Sequence, residues 1–498
     1  MILATLPAWG PALTPALALA TAAMIAFLID AVVGDRRIHW PIAGVAILGT
    51  AIALGASLYQ AFTGNWQPDG PLLAGQLVVD PASVLFTTVV TSATLLVLLG
   101  AVDYLGSHDH PAEFYSLVLL AATGMVTLAS ANTLLTAFIA FELTSLPSYV
   151  LVAYHKSDAR GTEASLKYFL IGALSSALLV YGMSLLYATT GALGFDAIAA
   201  AIAESDNVAL VGAGIVLILA GFGFKLAAVP FHFWAPDAYG AAPAPVGAFL
   251  SSASKAAGFV IVLRVFYEAL PISALTGLNW VPIFGALAVL TMLLGNFAAV
   301  RQSEVKRMLA YSSIGHAGYV LIALAAFSSG AVNNTLVVAA GILHLFVYGF
   351  MNTGAFLFVA MGEYWGLGDR FEDYAGLYQE APGACLAMTV LLFNLAGLPL
   401  GGGFWGKFVL FTGAIETGFW WLAAVGAIAS AVSVYYYVRL VKVMWIDEPT
   451  DPITLEGRPT GLYAALFGAT AVTVLLIVGY GIVADVAIEA AHGLLGQA

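Results

Sequence analysis

Residues 222–234 read FGFKLAAVPFHFW. Lys225 stands inside an apolar run, with Pro230 five positions on and His232 two beyond that. At the centre of a membrane helix a lysine costs about 2.5–3.5 kcal/mol on insertion scales. A proline removes a backbone donor and clashes with the preceding turn. Whether this stretch is a soluble core helix or a membrane span decides the fold, and the rest of the chain answers that question.

Of the 498 residues, 61% are hydrophobic and only 9% are charged, whereas a soluble protein carries about a quarter charged residues. Mean hydropathy is +0.96, with many apolar runs near the length of about 20 residues that one span requires. The fold class is therefore an all-α polytopic membrane protein. A β-barrel would instead show short segments of alternating polarity. The opening MILATLPAWGPALTPALALATAAMIAFLIDAVVGDRR has no basic start and no convincing cleavage site, so it reads as a first span and not as a signal peptide. A lone Cys385 excludes an internal disulfide and any cysteine-ligated cluster held by this chain alone. No Walker loop and no dinucleotide fingerprint is present. The net charge of −12 argues against a nucleic-acid partner.

Apolar stretches fall near 11–32, 39–62, 80–103, 111–130, 132–154, 163–190, 207–229, 244–268, 279–300, 307–328, 334–362, 382–411, 418–445 and 460–488. This predicts about fourteen transmembrane helices. The basic residues test the count. Arg36, Arg37, Lys156, Arg160, Arg301, Lys306, Arg307, Arg370, Arg439, Lys442 and Arg458 all follow or end an odd-numbered span, and the opposite loops hold no Lys or Arg. The positive-inside rule then places those residues in the cytoplasm and both termini on the outer face of the cell membrane.

Five basic residues remain, all within apolar spans: Lys167, Lys225, Lys255, Arg264 and Lys407. Arg264 is near the outer end of its span, where snorkelling to the interface is expected. The others need a partner or a function. Glu142 lies mid-span in ANTLLTAFIAFELTSLPSYVLVAY. A carboxylate there becomes neutral unless an ammonium lies beside it, so Glu142 is expected to pair with Lys225, with Lys167 as a second candidate. A pair whose proton occupancy depends on the partner's distance is the physical requirement for passing protons. A static ion pair is the bland reading.

Two spans are broken in the same manner. In the seventh, Lys225 precedes Pro230 and Pro236; in the twelfth, FNLAGLPLGGGFWGKFVLF, Pro399, Gly401, Gly402 and Gly403 precede Lys407. Carbonyls freed by such breaks are tolerated in a bilayer only where protein or water satisfies them. The breaks are five spans apart, the offset of two inverted five-helix repeats, and paired broken helices point to an ion site. The expected organisation is a three-helix segment at 1–110, repeats at 111–270 and 279–446, and a last helix in 447–498. His232, Lys255, His316, His344, Tyr348 and Asn352 supply further polar groups between the halves.

Long stretches now resemble a known family: FELTSLPSYVLVAY, GTEASLKYFLIGALSSALLVYGMSLLYATTG, FGFKLAAVPFHFWAPDAYGAAPAPVGAFLSSASKAAGF, VKRMLAYSSIGHAGYVLIA and GLPLGGGFWGKFVLF with SAVSVYYYVRLVK. In order, they are similar to the N-type antiporter-like subunits of respiratory complex I, the proton-translocating NADH:quinone oxidoreductase. The resemblance covers about residues 80–445. It implies a non-redox, proton-translocating membrane-arm subunit, with sister membrane subunits as partners. Quinone, flavin and iron–sulfur clusters belong to those partners, and none is implied for this chain. It assigns Glu142, Lys225, Lys255 and Lys407 to the family's charged line, with Lys167, His232 and His316 beside it. His344 receives no role from it, and Leu400 stands where relatives have a second proline after Pro399.

Two other readings compete. A subunit of an Mrp-type sodium/proton antiporter shares the fold and would lack redox partners. A structural scaffold would tolerate neutralised lysines, since their desolvation is costly.

Overall fold

Proline and glycine punctuate a chain that is otherwise helical, and the computed structural model follows that punctuation. It describes residues 2–33, 39–64, 72–106, 110–327, 333–449 and 454–496. Arg36 and Arg37, used above for orientation, lie outside the described residues. Three helices come first: α1 (Ile2–Val33), α2 (Trp40–Thr63) and α3 (Pro81–Tyr104). Then follow α4 (Pro111–Ala129), α5 (Leu134–Val152), α6 (Ala159–Thr190), α7 (Phe195–Ala203), α8 (Val208–Leu226), α9 (Trp234–Ala241), α10 (Ala244–Phe249) and α11 (Lys255–Arg264). The remainder is α12 (Val281–Val300), α13 (Val305–Ala325), α14 (Asn334–Tyr364), α15 (Pro382–Ala396), α16 (Gly402–Glu416), α17 (Trp420–Trp445), α18 (Thr460–Leu475) and α19 (Tyr480–Leu494). Proline opens α3, α4 and α15, where its missing N–H would be unpaired in any case.

Among the described residues, twelve helices are long and apolar enough to cross a membrane, or thirteen if α18 and α19 form one span. The expected fourteenth is the broken pair α15 and α16. Each has 15 residues, about 22 Å of helix, too short alone for a hydrocarbon core of about 30 Å. The last span is not straight as its hydropathy suggests: α18 and α19 meet at 81°. Asp485, Glu489 and His492 lie on α19, and the bilayer core disfavours those groups. The helix instead buries Ala487, Ala490, Ala491 and Leu494 while packing on α3 and α14. The short α7, read from sequence as loop, is one further difference.

Ion pairs check the order of spans independently. On the basic face Lys156 meets Glu113 (2.9 Å), Arg160 meets Glu304 (3.2 Å), Arg307 meets Asp237 (3.0 Å), and Lys306 meets Glu363 (2.7 Å). On the opposite face Arg264 meets Asp80 (2.6 Å) and Glu268 (2.8 Å). Each contact joins residues at the same side of the span order. A miscount by one would have put the partners a membrane apart.

The span from Ala244 to Ala274 is the most deeply buried, with every residue of its apolar window covered by the rest of the protein. It is also irregular. A π-helical turn at Leu250–Ser254 joins α10 to α11, and such turns are frequent at functional sites. Lys255 follows that turn directly.

Candidate proton-path site

Lys225 lies in the last turn of α8 and is only 3% exposed. Its stem packs so closely on α11 that a methyl at Gly258 would come within 3.0 Å of its Cγ. The ammonium donates to Ser145 Oγ on α5 (3.2 Å) and lies over the Phe141 ring at 5.3 Å. Beyond Leu226, Ala227 takes a left-handed conformation (φ 54°) and the helix stops. The freed carbonyls of the break are partly covered from within it. Gly223 O accepts from Ala228 N (2.9 Å), while Phe224 O accepts from Ala227 N (2.9 Å) and the indole Nε1 of Trp234 (3.0 Å).

Glu142 does not form the expected ion pair with Lys225. Among the described residues its contact is a short hydrogen bond from Ser176 Oγ. Three residues along α5, Ser145 takes the lysine instead. The carboxylate still lies within Coulombic range of the ammonium. Lys167, the second candidate partner, is elsewhere: its side chain is 48% exposed and bridges Glu163 (2.8 Å) and Asp237 (3.1 Å). With Arg160 and Arg307 it lines an open cavity of about 130 Å³ on the basic face. Helix length explains this. At 32 residues, α6 extends about 48 Å, so its first turns project beyond the apolar layer. Arg264 departs from expectation too. It does not snorkel but is wholly buried, held by Asp80, Glu268 and Ala129 O (2.8 Å).

Lys255, 2% exposed, donates to both the carbonyl and the hydroxyl of Ser313 on α13, each at 2.5 Å. Its ammonium lies 5.8 Å from the Tyr348 ring. Tyr348 stacks on His316 (4.9 Å between centroids), and His316 Nδ1 meets His344 Nε2 at 3.1 Å. His316 is thus in Coulombic range of Lys255 on one side and Lys407 on the other. Nearby, Asn352 and Thr353 donate to Ser251 (2.6 Å) and Ser252 (2.9 Å) on the π-helical turn. Buried polar atoms without a protein partner gather here: His344 Nδ1, Tyr348 Oη and Asn352 Oδ1. Native interiors seldom leave such atoms unmatched. His232 is buried beside the first break, its ring 4.5 Å from that of Phe233 and its Nδ1 also unpartnered.

At the second break α15 ends on Gly397, whose φ of 88° favours glycine. The last four carbonyls of a helix have no partner within it, and here all four find one. Phe393 O accepts from Gly397 N (3.1 Å) and Leu398 N (2.9 Å), and Asn394 O from Gly397 N (3.0 Å). Leu395 O (2.8 Å) and Ala396 O (3.2 Å) accept from Lys407, which is 4% exposed. The third N–H of that ammonium goes to Ser430 Oγ on α17 (2.8 Å). The glycines ahead of Lys407 permit close approach: a Cβ on Gly403 would sit 2.2 Å from Asn394 O. Gly406 likewise lets α16 reach His344, since its Cβ would meet Nδ1 at 2.9 Å.

The structure thus brings Lys255, His316 and Lys407 into one buried band. Lys225 is buried against α5 and α11 with Glu142 in Coulombic range of it, and Lys167 lies outside both. Sequence reasoning missed Ser145, Ser313, Ser430 and Trp234. Only the small polar residues at LTSLPS and AYSSIGH hinted at the first two. Among the described residues, no group of three or more His, Cys, Asp or Glu could hold a metal ion.

The transmembrane family described as NADH:quinone oxidoreductase/Mrp antiporter matches residues 131–433, more than half of the chain and every residue of the band. The chain belongs to that family. It is 41% identical over 421 residues to NADH-quinone oxidoreductase subunit N of Heliobacterium modesticaldum, covering 84% of this chain and 86% of that one. It is also 41% identical over 407 residues to F(420)H(2) dehydrogenase subunit N of Methanosarcina mazei, covering 79% and 80%. Among solved structures, a chain of respiratory complex I from Thermus thermophilus with bound aureothin superposes with a TM-score of 0.75 at 34% identity, over 95% of this chain and 100% of that one.

Proposed function

We propose that this chain is the N-type antiporter-like subunit of a complex I-type oxidoreductase. It translocates protons across the cell membrane while quinone is reduced in other subunits. The observation that carries this is the contrast between its buried cations. Arg264 is locked between two carboxylates. Lys225, Lys255 and Lys407 are equally buried yet held by hydroxyls and carbonyls alone. A lysine whose charge no carboxylate fixes can exchange its proton; a doubly paired guanidinium cannot.

In this reading the proton crosses the two units 111–270 and 279–446 through Lys225, Lys255, His316, His344 and Lys407. Glu142 modulates Lys225 from α5. In this reading ordered water bridges His344, Tyr348 and Asn352, each of which buries a polar atom without a protein partner. Lys167 and His232 serve as approaches from the basic face, which is cytoplasmic, so both termini face outward. Sister antiporter-like subunits and small membrane subunits complete the arm. Flavin, iron–sulfur clusters and quinone reside in partner subunits, and this chain performs no redox step. The electron donor is a property of those partners, since relatives of equal similarity carry the names of an NADH-dependent and an F(420)H(2)-dependent enzyme.

Glu142→Gln and Lys225→Ala test the proposal. Both complexes are expected to assemble with coupled electron transfer and proton pumping impaired. Normal pumping in both would refute it and favour the scaffold reading. Sodium-dependent exchange without quinone reduction would favour the Mrp-type alternative.

A further inference from the structure

The span from Ala244 to Ala274 runs antiparallel to α14, and the two meet at a series of points. At the head of the span Ala244 N donates to Glu363 Oε2 (3.0 Å). Next, Phe356 packs on Gly247, where a Cβ would come within 2.8 Å of the ring. Asn352 Nδ2 then donates to Ser251 Oγ (2.6 Å). One turn farther, the Tyr348 ring lies 5.8 Å from Lys255 Nζ. Each step back along α14 is thus matched by a step forward along the span. Both ends of the stretch are anchored. Glu363 is itself held by Lys306 (2.7 Å), and Arg264 is held by Asp80 (2.6 Å) and Ala129 O (2.8 Å). Between those anchors lies one π-helical turn, Leu250–Ser254.

A π-helical turn holds one residue more than an α-helical turn. With both ends of the stretch fixed, that residue cannot be expelled and can only move along the helix. Its place decides where Lys255 points, because one residue of an α-helix is about 100° of rotation. With the turn ahead of Lys255, the ammonium reaches the carbonyl and hydroxyl of Ser313 on α13. With the turn past Lys255, the side chain would swing away from α13. Movement toward the head is blocked where Gly247 meets Phe356. Movement the other way leads into Ala256, Ala257 and Gly258, whose small size opposes it least. We propose that Asn352 is the positioning residue of Lys255: by holding Ser251 it keeps the extra residue ahead of the lysine. Ser251 donates its own hydrogen to Gly247 O (2.6 Å), so its oxygen is left to accept from the Asn352 amide. The hydroxyls of Thr353 and Ser252 meet one residue on (2.9 Å). This deepens the translocation reading, on which it rests for the role of Lys255 but not for its placement.

Electron cryomicroscopy of the native complex in lipid nanodiscs tests the placement, and protons pumped per electron test its consequence, so the two readings can fail separately. Asn352→Leu is close in size and cannot donate. It also removes the unpartnered Oδ1, and replacing a poorly matched polar group by an apolar one is close to neutral. The complex is therefore expected to assemble with its thermal midpoint little changed. Its π-helical turn should lie beyond Lys255, both bonds to Ser313 should be lost, and pumping should fall to the level of Lys255→Met. Ser251→Ala should displace the turn in the same way. A turn that stays at 250–254 in Asn352→Leu, with Lys255 still on Ser313, overturns the inference whatever the midpoint does. If that variant fails to assemble, the same finding in Ser251→Ala overturns it. A displaced Lys255 with normal pumping would uphold the placement and refute the translocation reading at that lysine.

Discussion

The two broken spans begin from similar sequence signals and end with different physics. Each has a buried lysine and a proline, and each interrupts an apolar helix. Yet α8 stops on Ala227 in a left-handed conformation and is braced by the indole of Trp234. In contrast, α15 stops on Gly397 and is capped by the lysine itself. The order of the signals decides this. Lys225 precedes its break and points back to α5, whereas Lys407 follows its break and lies over the free carbonyls. A lysine after a break can cap it. A lysine before one is left for other partners.

Substitutions at each break put this contrast at risk. The largest effect is expected from Gly403→Val. Its Cβ would meet the backbone oxygen of Asn394 at 2.2 Å, and backbone cannot step aside, so a destabilisation of about 4 kcal/mol or more is expected. Loss of the subunit from the purified complex would report it; normal incorporation would show that the break is more pliant than its packing. Next comes Trp234→Phe, which keeps the ring stack on Tyr168 (4.2 Å) but removes the donor to Phe224 O. The expected cost is about 1–3 kcal/mol, read as a lower midpoint in thermal dissociation of the complex. Ala227→Gly should have the opposite sign. Relief of a left-handed alanine, worth about 1–2 kcal/mol, is offset by the greater freedom of glycine in the unfolded chain, about 0.4–1 kcal/mol. A small rise in the same midpoint is expected, and a fall would mean that Ala227 makes a contact worth more than its strain. The smallest change in stability belongs to Lys225→Met. It leaves both carbonyl contacts of the first break in place, so the midpoint should move by less than about 1 kcal/mol equivalent while pumping is lost. A large fall in stability there would erase the distinction between the two breaks.

Much of the fold is legible without coordinates, because the bilayer imposes a single strong rule on every span. Fourteen apolar segments, the side of each basic residue and the positions of both breaks all follow from it, and the ion pairs on both faces agree with that order. What hydropathy misjudges is position relative to the membrane and to neighbours. Lys167 lies within an apolar helix but near its projecting start, and meets Glu163 and Asp237. Arg264 lies near a span end, where snorkelling is usual, but Asp80 and Glu268 come to it. The bend of 81° before α19 is hidden because its residues remain apolar enough to continue a span.

By itself, the sequence determined that cations would be buried in oil and that two helices would break, since charge and proline act through local chemistry wherever the chain goes. Only the tertiary structure decided which atoms receive each lysine. Ser145, Ser313 and Ser430 come from helices 80, 58 and 23 residues away, and hydroxyls are too common in such helices to mark a partner. Hydrogen bonds are short and directional, so their identity depends on how neighbouring helices are rotated and staggered, and no periodicity along one chain encodes that.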